Sequence, residues 1–253
     1  MKALLAAMGS AVLSSLDPGC SATAGSNIAN GPDGSSYVPV GDTSCSASTH
    51  TFCDGFGASG GDAGAGTSLF EGQDLLAGTT SIENGSLVAT TELVTQGTRT
   101  QARLKKTFRG TGSRFTLAYT EKVDGACIKA GDSVETGVIG LRNNSYWIAV
   151  RHGRDNDAIT EAGIANASVA QAHVLPKQLP RDTSTRIVLD VDLTKKTIDL
   201  TVDGRKAVEA EPLKLPVDAP QTPLIEVGIL TDNLLAPPSP CPVTIDDVAF
   251  DME

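Results

Sequence analysis

The sequence predicts an all-β fold, an antiparallel two-sheet sandwich, with an N-terminal flexible tether. From about residue 69 onward, apolar and polar residues alternate with a period of two, which is typical of strands that bury one face. Gly, Asn, Asp or Pro interrupt these runs every few residues, as turns between antiparallel strands do. The 253 residues are 40% hydrophobic, enough to bury one substantial core. We therefore expect a single sandwich domain over residues 52–253.

Residues 1–20 have the features of a secretory signal peptide. Lys2 provides a minimal positive region, and residues 3–16 form an apolar stretch too short to span a bilayer comfortably. Small residues at 22–24 fit ordinary signal cleavage, whereas residues 16–20 resemble a bacterial lipobox ending at Cys20. Asp17 and Pro18 depart from the aliphatic and small residues that a lipobox normally has. Both a secreted form and a surface lipoprotein lipidated at Cys20 remain open, and this anchor is the predicted membrane contact.

Residues 21–51 predict a flexible low-complexity tether. This stretch consists mostly of Gly, Ser, Ala, Thr, Asn and Pro, with almost no bulky apolar side chains. It cannot bury enough surface to offset the entropy lost on ordering. We expect it to separate the sandwich from the cell envelope.

The cysteines favour an oxidising compartment. Setting Cys20 aside leaves four, an even number that is typical of exported proteins. Four cysteines allow three pairings. We favour Cys45 with Cys53, which share one short segment, and Cys127 with Cys241, which lie in two loops.

The first half of the domain shows several separate strands. A short apolar patch over residues 52–56 predicts an opening strand. The Asn84-Gly85 turn comes before an apolar run at residues 86–90, and residues 103–108 form a more polar run. Residues 115–119 alternate cleanly, so each of these runs is expected to turn one face inward.

The clearest hairpin spans residues 134–150 around Asn143-Asn144, a pair that tolerates the positive φ of a tight turn. Its register places Tyr146, Ile148 and Val150 opposite residues 141, 139 and 137, with the large apolar side chains on one face. Trp147 then lies opposite Gly140 on the other face, which it shares with Arg151.

A second hairpin covers residues 187–202, with a turn at residues 194–197 and an Asp203-Gly204 corner after it. Residues 224–230 and 243–250 predict two more strands, separated by a proline-rich loop that cannot pair. Within residues 155–174, the alanines permit a helix, while residues 169–174 could equally form an edge strand. The total is about ten strands and at most one short helix.

Several of these segments resemble those of concanavalin A-like jelly rolls, a class that includes laminin-G-like modules. The resemblance is carried by the hairpin TRIVLDVDL (185–193) and TIDLTVDG (197–204), by the early strand SIENGSL (81–87) and by the closing strand TIDDVAF (244–250). It covers roughly residues 52–253 in pattern. It implies the sandwich fold, and it implies glycan binding, glycan cleavage or calcium binding as functions found on that fold.

The catalytic motif that the resemblance implies is absent. Glycan-hydrolysing members carry Glu-x-Asp-x-x-Glu on one strand, because their chemistry needs two carboxyl groups about 5–5.5 Å apart. Glu226 is followed by Val227, Gly228 and Ile229, and the pair Asp190 and Asp192 lacks the matching glutamate. We therefore expect no catalytic residues. The three histidines lie far apart and are expected at the surface.

The candidate ligand-binding residues are Trp147 and Arg151. An exposed indole beside a guanidinium could hold a sugar or an acidic peptide, although a loop or the second sheet could instead cover the ring. Asp246 and Asp247 offer hard oxygen ligands for calcium, but such pairs are also common in turns. We expect no cofactor other than this calcium.

The net charge of −10 would repel phosphate backbones, so nucleic acid is excluded as a partner. The sequence therefore favours a non-catalytic extracytoplasmic module that binds carbohydrate or an envelope protein. One alternative is a structural or adhesive surface protein without a small ligand. The other is a glycoside hydrolase-like enzyme whose carboxylates the spacing does not reveal.

Overall fold

The computed structural model describes residues 50–57, 68–91, 99–128, 133–141, 145–163, 171–232 and 240–253. These residues form fifteen strands and one 3-10 turn, Gly125–Cys127. The strands are β1 Phe52–Asp54, β2 Gly72–Leu76, β3 Gly78–Glu83, β4 Ser86–Thr91, β5 Arg99–Thr107, β6 Arg114–Val123, β7 Ser133–Leu141, β8 Tyr146–Gly153, β9 Ala158–Gly163, β10 Gln171–Val174, β11 Thr185–Asp192, β12 Thr197–Val202, β13 Arg205–Pro212, β14 Leu224–Asp232 and β15 Cys241–Met252. No helix in the part of the chain described is long and apolar enough to cross a membrane.

The strands form two antiparallel sheets. The eight-stranded sheet has the order β13-β12-β11-β6-β15-β4-β3, with β1 added against β15. The seven-stranded sheet has the order β10-β9-β8-β7-β14-β5-β2. Neighbours that are distant in sequence, such as β6 and β15, give the crossed connectivity of a jelly roll. The predicted concanavalin A-like sandwich is confirmed.

The core lies between the two sheets and follows from the alternation in the sequence. β11 and β12 bury every second residue, and the large fully buried side chains come from both sheets. Phe115, Leu117 and Phe250 come from the eight-stranded sheet, whereas Ile139 and Ile148 come from the seven-stranded one. The residues that point away from this core on the seven-stranded sheet are free to form a surface site.

Both predicted hairpins are present. β11 pairs with β12 over residues 187–202, and β7 pairs with β8 so that Leu141 faces Tyr146 and Gly140 faces Trp147. The predicted pairing of Val150 with Gly137 is wrong. A β-bulge lies between Glu135 and Val138, so that Glu135 pairs with Arg151 and Val138 with Ala149.

The predicted disulfide between Cys127 and Cys241 is present, with the Cα atoms 5.1 Å apart. Cys53 is also disulfide-bonded, while its predicted partner Cys45 lies outside the described residues. Residues 1–49 lie outside them too, so the signal peptide, the tether and lipidation at Cys20 stay predictions.

The structure has more than the predicted ten strands, because the prediction recognised only strands that bury one apolar face. β2 and β13 are exposed along most of their length and carry no clear apolar alternation. Within residues 155–174, the described residues form β9 and the short edge strand β10, which agrees with the edge-strand alternative. A strand at the edge of a sheet is held by backbone hydrogen bonds on one side, which leave little trace in side-chain pattern.

Candidate functional site

A groove of about 230 Å³ lies on the face of the seven-stranded sheet that points away from the core. Alternation along β5 directs Arg99, Gln101 and Arg103 to this face, while Thr100 and Ala102 point into the sandwich. The other strands contribute in the same way. The polar and aromatic side chains that line the groove are Asp74, Arg99, Gln101, Arg103, Ser133, Glu135, Trp147, Arg151, Thr160 and Glu226.

Arg103 is the centre of the groove. Its buried guanidinium donates to Glu135 Oε2 through Nη2 and to Glu226 Oε2 through Nη1, both at 3.3 Å. Glu135 also accepts from the hydroxyl of Thr160 through Oε1, at 3.2 Å. Two carboxylates from different strands therefore converge on one guanidinium.

Arg151 differs from Arg103 in its pairing. It lies opposite Glu135 in the β7–β8 register, yet it makes no ion pair with a carboxylate of the described residues. The Nε atoms of Arg103 and Arg151 are buried without a hydrogen-bond partner in the part of the chain described. Arg151 is thus a partly exposed cation whose charge is not neutralised by the groove itself.

The backbone around these residues is irregular, and this shapes the groove. The bulge in β7 places both Glu135 and Val138 on the groove face. In β14, Gly228 has φ +135°, a conformation that side chains rarely adopt, and it pairs with Arg103. A Cβ at this position would collide with the Ala102 carbonyl oxygen, so the glycine allows the backbones of β14 and β5 to approach closely beside Arg103.

Trp147 marks the other end of the groove. It lies opposite Gly140 on β7 and opposite Ala162 on β9, so that both neighbours have small side chains or none. The indole is partly exposed, and it is the single tryptophan of the chain. The structure thus brings the two sequence-predicted residues, Trp147 and Arg151, into the same groove.

Most of the charged residues of the groove were not predicted from the sequence. Arg99, Gln101 and Arg103 are spaced two apart, a signal for one polar strand face that was available in the sequence. Glu226 was set aside because no second glutamate lies on its strand, but Glu135 comes from β7, the neighbouring strand. A motif defined along one strand cannot reveal a pair of carboxylates that comes from two neighbouring strands.

The other predicted sites do not join this groove. Asp247 forms an ion pair with Arg186 at 3.0 Å, and burial raises the pKa of Asp246. No group of three or more His, Cys, Asp or Glu side chains that could hold a metal ion occurs in the described ranges. Calcium at Asp246 and Asp247 stays a prediction.

The expectation of surface histidines is wrong for His152 and His173, and the side chain of His50 is only 6% exposed beside Asp251. His152 is fully buried and its Nε2 contacts Glu121 Oε1 at 2.8 Å, across the space between the sheets. His173 is buried against Glu161 and Glu211. Each histidine is placed inward by strand alternation and stabilised there by a carboxylate, a long-range pairing with no local sequence signal.

A larger cleft, about 500 Å³, lies between residues 176–180 and the β12–β13 hairpin. Its one carboxylate, that of Asp203, accepts from the backbone N–H of Arg186, and its Lys206 is paired with Asp199. These charges are engaged by their own neighbours. The smaller groove is the better candidate because it brings two glutamates, Arg151 and an aromatic ring together, whereas the larger cleft has a single carboxylate.

No protein-family model and no curated protein matches the sequence. Solved structures share the fold. An endo-β-1,4-glucuronan lyase from the fungus Trichoderma reesei is similar with a TM-score of 0.60 and 14% identity, over 81% of this chain and 96% of that one. The family 7 alginate lyase A1-II′, a Y284F variant in complex with product, has a TM-score of 0.53 and 6% identity, over 69% and 83%. An alginate lyase from Klebsiella pneumoniae has a TM-score of 0.51 and 13% identity, over 71% and 86%.

These structures correct the expectation of a non-catalytic binding module. The three solved structures named above, which share the sandwich, are polysaccharide lyases. The expectation rested on the absence of two carboxylates on one strand. Glu135 of β7 and Glu226 of β14 nevertheless lie in one groove.

Proposed function

We propose that this protein is a polysaccharide lyase that cleaves a uronate-containing glycan by β-elimination. The observation that carries the proposal is Arg151, a cation without a carboxylate partner in the described residues, placed across from Glu135 in the groove. Such a cation suits the carboxylate of a uronic acid residue. The named activities of the proteins with the same fold, on glucuronan and alginate, agree with an acidic glycan.

The chemistry follows from the charges. In β-elimination, a base removes the proton from the carbon next to the uronate carboxylate, and a C=C bond forms as the glycosidic C–O bond breaks. Arg151 binds the carboxylate and stabilises the negative charge that develops there. Glu135 accepts the proton and returns it to the departing glycosidic oxygen. The reaction consumes no water, and the new chain end carries the C=C bond.

Glu135 suits the role of base better than Glu226. Its side chain is 15% exposed, against 7% for Glu226, and it faces Arg151 across the β7–β8 pair. Arg103 and Thr160 each hold one of its oxygens, which fixes the orientation of the carboxylate. Trp147 provides an apolar ring at the end of the groove on which a further sugar residue can stack.

The disulfides support an exported enzyme. The bond between Cys127 and Cys241, together with the disulfide at Cys53, suits an oxidising compartment. Acidic polysaccharides of cell walls and matrices are met in that compartment. We infer that the protein acts outside the cytoplasm, either secreted or anchored at Cys20.

The test is cleavage of polyglucuronate and alginate by the full chain, followed by ultraviolet absorbance, because the product has a C=C bond conjugated with the carboxylate. We expect Glu135→Gln to lower kcat about 10²–10⁴-fold, the usual contribution of a general base. Arg151→Met should lower kcat/KM about 10²-fold or more through lost charge stabilisation.

Arg114→Met is the matched control, because Arg114 is an arginine paired with Asp190 on the other sheet. It should retain the activity of the wild-type protein. New reducing ends without ultraviolet absorbance would show hydrolysis and contradict the lyase proposal. Cleavage of a neutral glucan at the same rate would contradict the role of Arg151.

A further inference from the structure

The bulge in β7 is locked from the core by a residue of the opposite sheet. Between Glu135 and Val138, β7 has two residues, Thr136 and Gly137, where β8 has one. Both turn toward the core: Thr136 is fully buried, and a Cβ on Gly137 would point into Tyr119. This is how Glu135 and Val138 come to share the groove face.

Tyr119 of β6 fills the space that this irregularity creates. It is fully buried, and a Cβ on Gly137 would lie 2.6 Å from the phenol oxygen and closer still to the ring carbons. The phenol and the Thr136 hydroxyl are hydrogen-bonded at 3.0 Å. Only glycine at position 137 leaves room for the Tyr119 ring. Because the ring occupies this space, it opposes the movement of β7 into a regular strand.

Straightening β7 would change which side chains share the groove face. Because side chains alternate with a period of two, removing a one-residue bulge shifts part of the strand to the opposite face. Either Glu135 or the residues after the bulge would then leave the groove. Only the bulged form keeps Glu135, in its 3.3 Å contact with Arg103, on the same face as Val138.

We propose that Tyr119 is a positioning residue that acts through the β7 bulge on Glu135. The inference rests on the proposed function in naming Glu135 as the base, but the geometric part holds for any chemistry at this carboxylate. Tyr119 is fully buried between the sheets, and its phenol is hydrogen-bonded to Thr136, which does not line the groove. It acts from behind the sheet through Thr136 and Gly137.

The experiment is a double-mutant cycle of Tyr119→Phe and Thr136→Val, measured by kcat and KM on the polyuronate that the wild-type protein cleaves. Each single variant removes one hydroxyl and keeps the packing. We expect each to lower kcat about tenfold with KM within about twofold, because a small displacement of a reacting group costs rate rather than binding. The double variant should be no slower than the slower single one.

Thr201→Val is the control. Thr201 is a buried threonine on β12 of the eight-stranded sheet, where it pairs with Val188 and Lys206, so it contacts neither β7 nor the groove strands in register. Its kcat should stay within about twofold of the wild-type value at a temperature where all variants are folded. Equal losses in Thr201→Val, or additive losses in the cycle, would overturn the positioning role.

A crystal structure of Tyr119→Leu separates this inference from the proposed function. We expect Glu135 Oε2 to move out of hydrogen-bond distance of Arg103 Nη2. An unmoved carboxylate would overturn the inference even if the enzyme is a lyase. A wild-type protein without lyase activity, combined with a displaced carboxylate in the variant, would reject the proposed function and keep the positioning role.

Discussion

Replacing Glu121 with Gln should reverse the way in which stability depends on pH. Burial by itself lowers the pKa of His152, but the Glu121 carboxylate at 2.8 Å raises it by charge and hydrogen bonding, and the net shift is upward from 6.5. Asp157 also raises the pKa of His152, and Arg181 lowers it. A raised folded-state pKa contributes stability that is fully present below pH 6.5 and lost as pH rises through the folded value.

Without the Glu121 charge, burial becomes the dominant influence and the pKa of His152 falls below 6.5. The unfolded state then binds the proton more tightly, so stability should rise with pH through this range. Removing one partner of a buried ion pair costs about 3–5 kcal/mol. We expect a cost of that order at pH 5.5 and a smaller one, about 1–2 kcal/mol, at pH 9, where the histidine is neutral and a hydrogen bond is exchanged for a weaker one.

The assay is urea unfolding of the wild-type protein and Glu121→Gln at several pH values between 5 and 9. Other titrating groups contribute equally to both proteins, so the difference between the two free energies isolates the pair. Asp199→Asn is the control, because its pair with Lys206 is partly exposed and worth about 1 kcal/mol or less. Parallel curves for the wild-type protein and Glu121→Gln would refute the coupling between Glu121 and His152.

Three further predictions concern other parts of the fold. Gly228→Ala should lower the free energy of unfolding in urea by about 1–3 kcal/mol, because the new Cβ would collide with the Ala102 carbonyl oxygen. Gly85→Ala is the control and should cost less, because a Cβ at this turn meets open space. Replacing Cys127 and Cys241 with Ala should cost about 2–5 kcal/mol, since their bond closes a loop with a sequence separation of 114; an unchanged midpoint would contradict this. Binding of oligouronates should quench the fluorescence of Trp147, the single tryptophan. Unchanged fluorescence during titration with an oligouronate that the protein cleaves would show that Trp147 is not part of the binding surface.

The hairpins were predictable because their determinants are local. Alternation and turn residues within some twenty positions set the pairing of β11 with β12, and most of the pairing of β7 with β8. The failure at Gly137 has a definite cause. The residue that enforces the bulge, Tyr119, lies on the other sheet, and its own alternation gives no sign of the strand it will meet.

The candidate site was half predictable for the same reason. Trp147 and Arg151 were found because the hairpin register places both on one face. The pairing of Glu135 with Glu226 through Arg103 needs the order of β5, β14 and β7 in the sheet, which periodicity does not contain. A search for charged residues spaced two apart would have found the β5 face but not its partners.

The buried polar residues of β6 connect these observations. Tyr119 and Glu121 alternate on the same inward face of one strand. Tyr119 contacts Thr136, the neighbour of Glu135, and Glu121 contacts His152, the neighbour of Arg151. Two polar contacts through the core therefore lie directly behind the proposed base and the proposed carboxylate-binding arginine. An apolar core would stabilise the sandwich equally well, whereas hydrogen bonds at these two positions fix how β7 and β8 present their groove residues to one another.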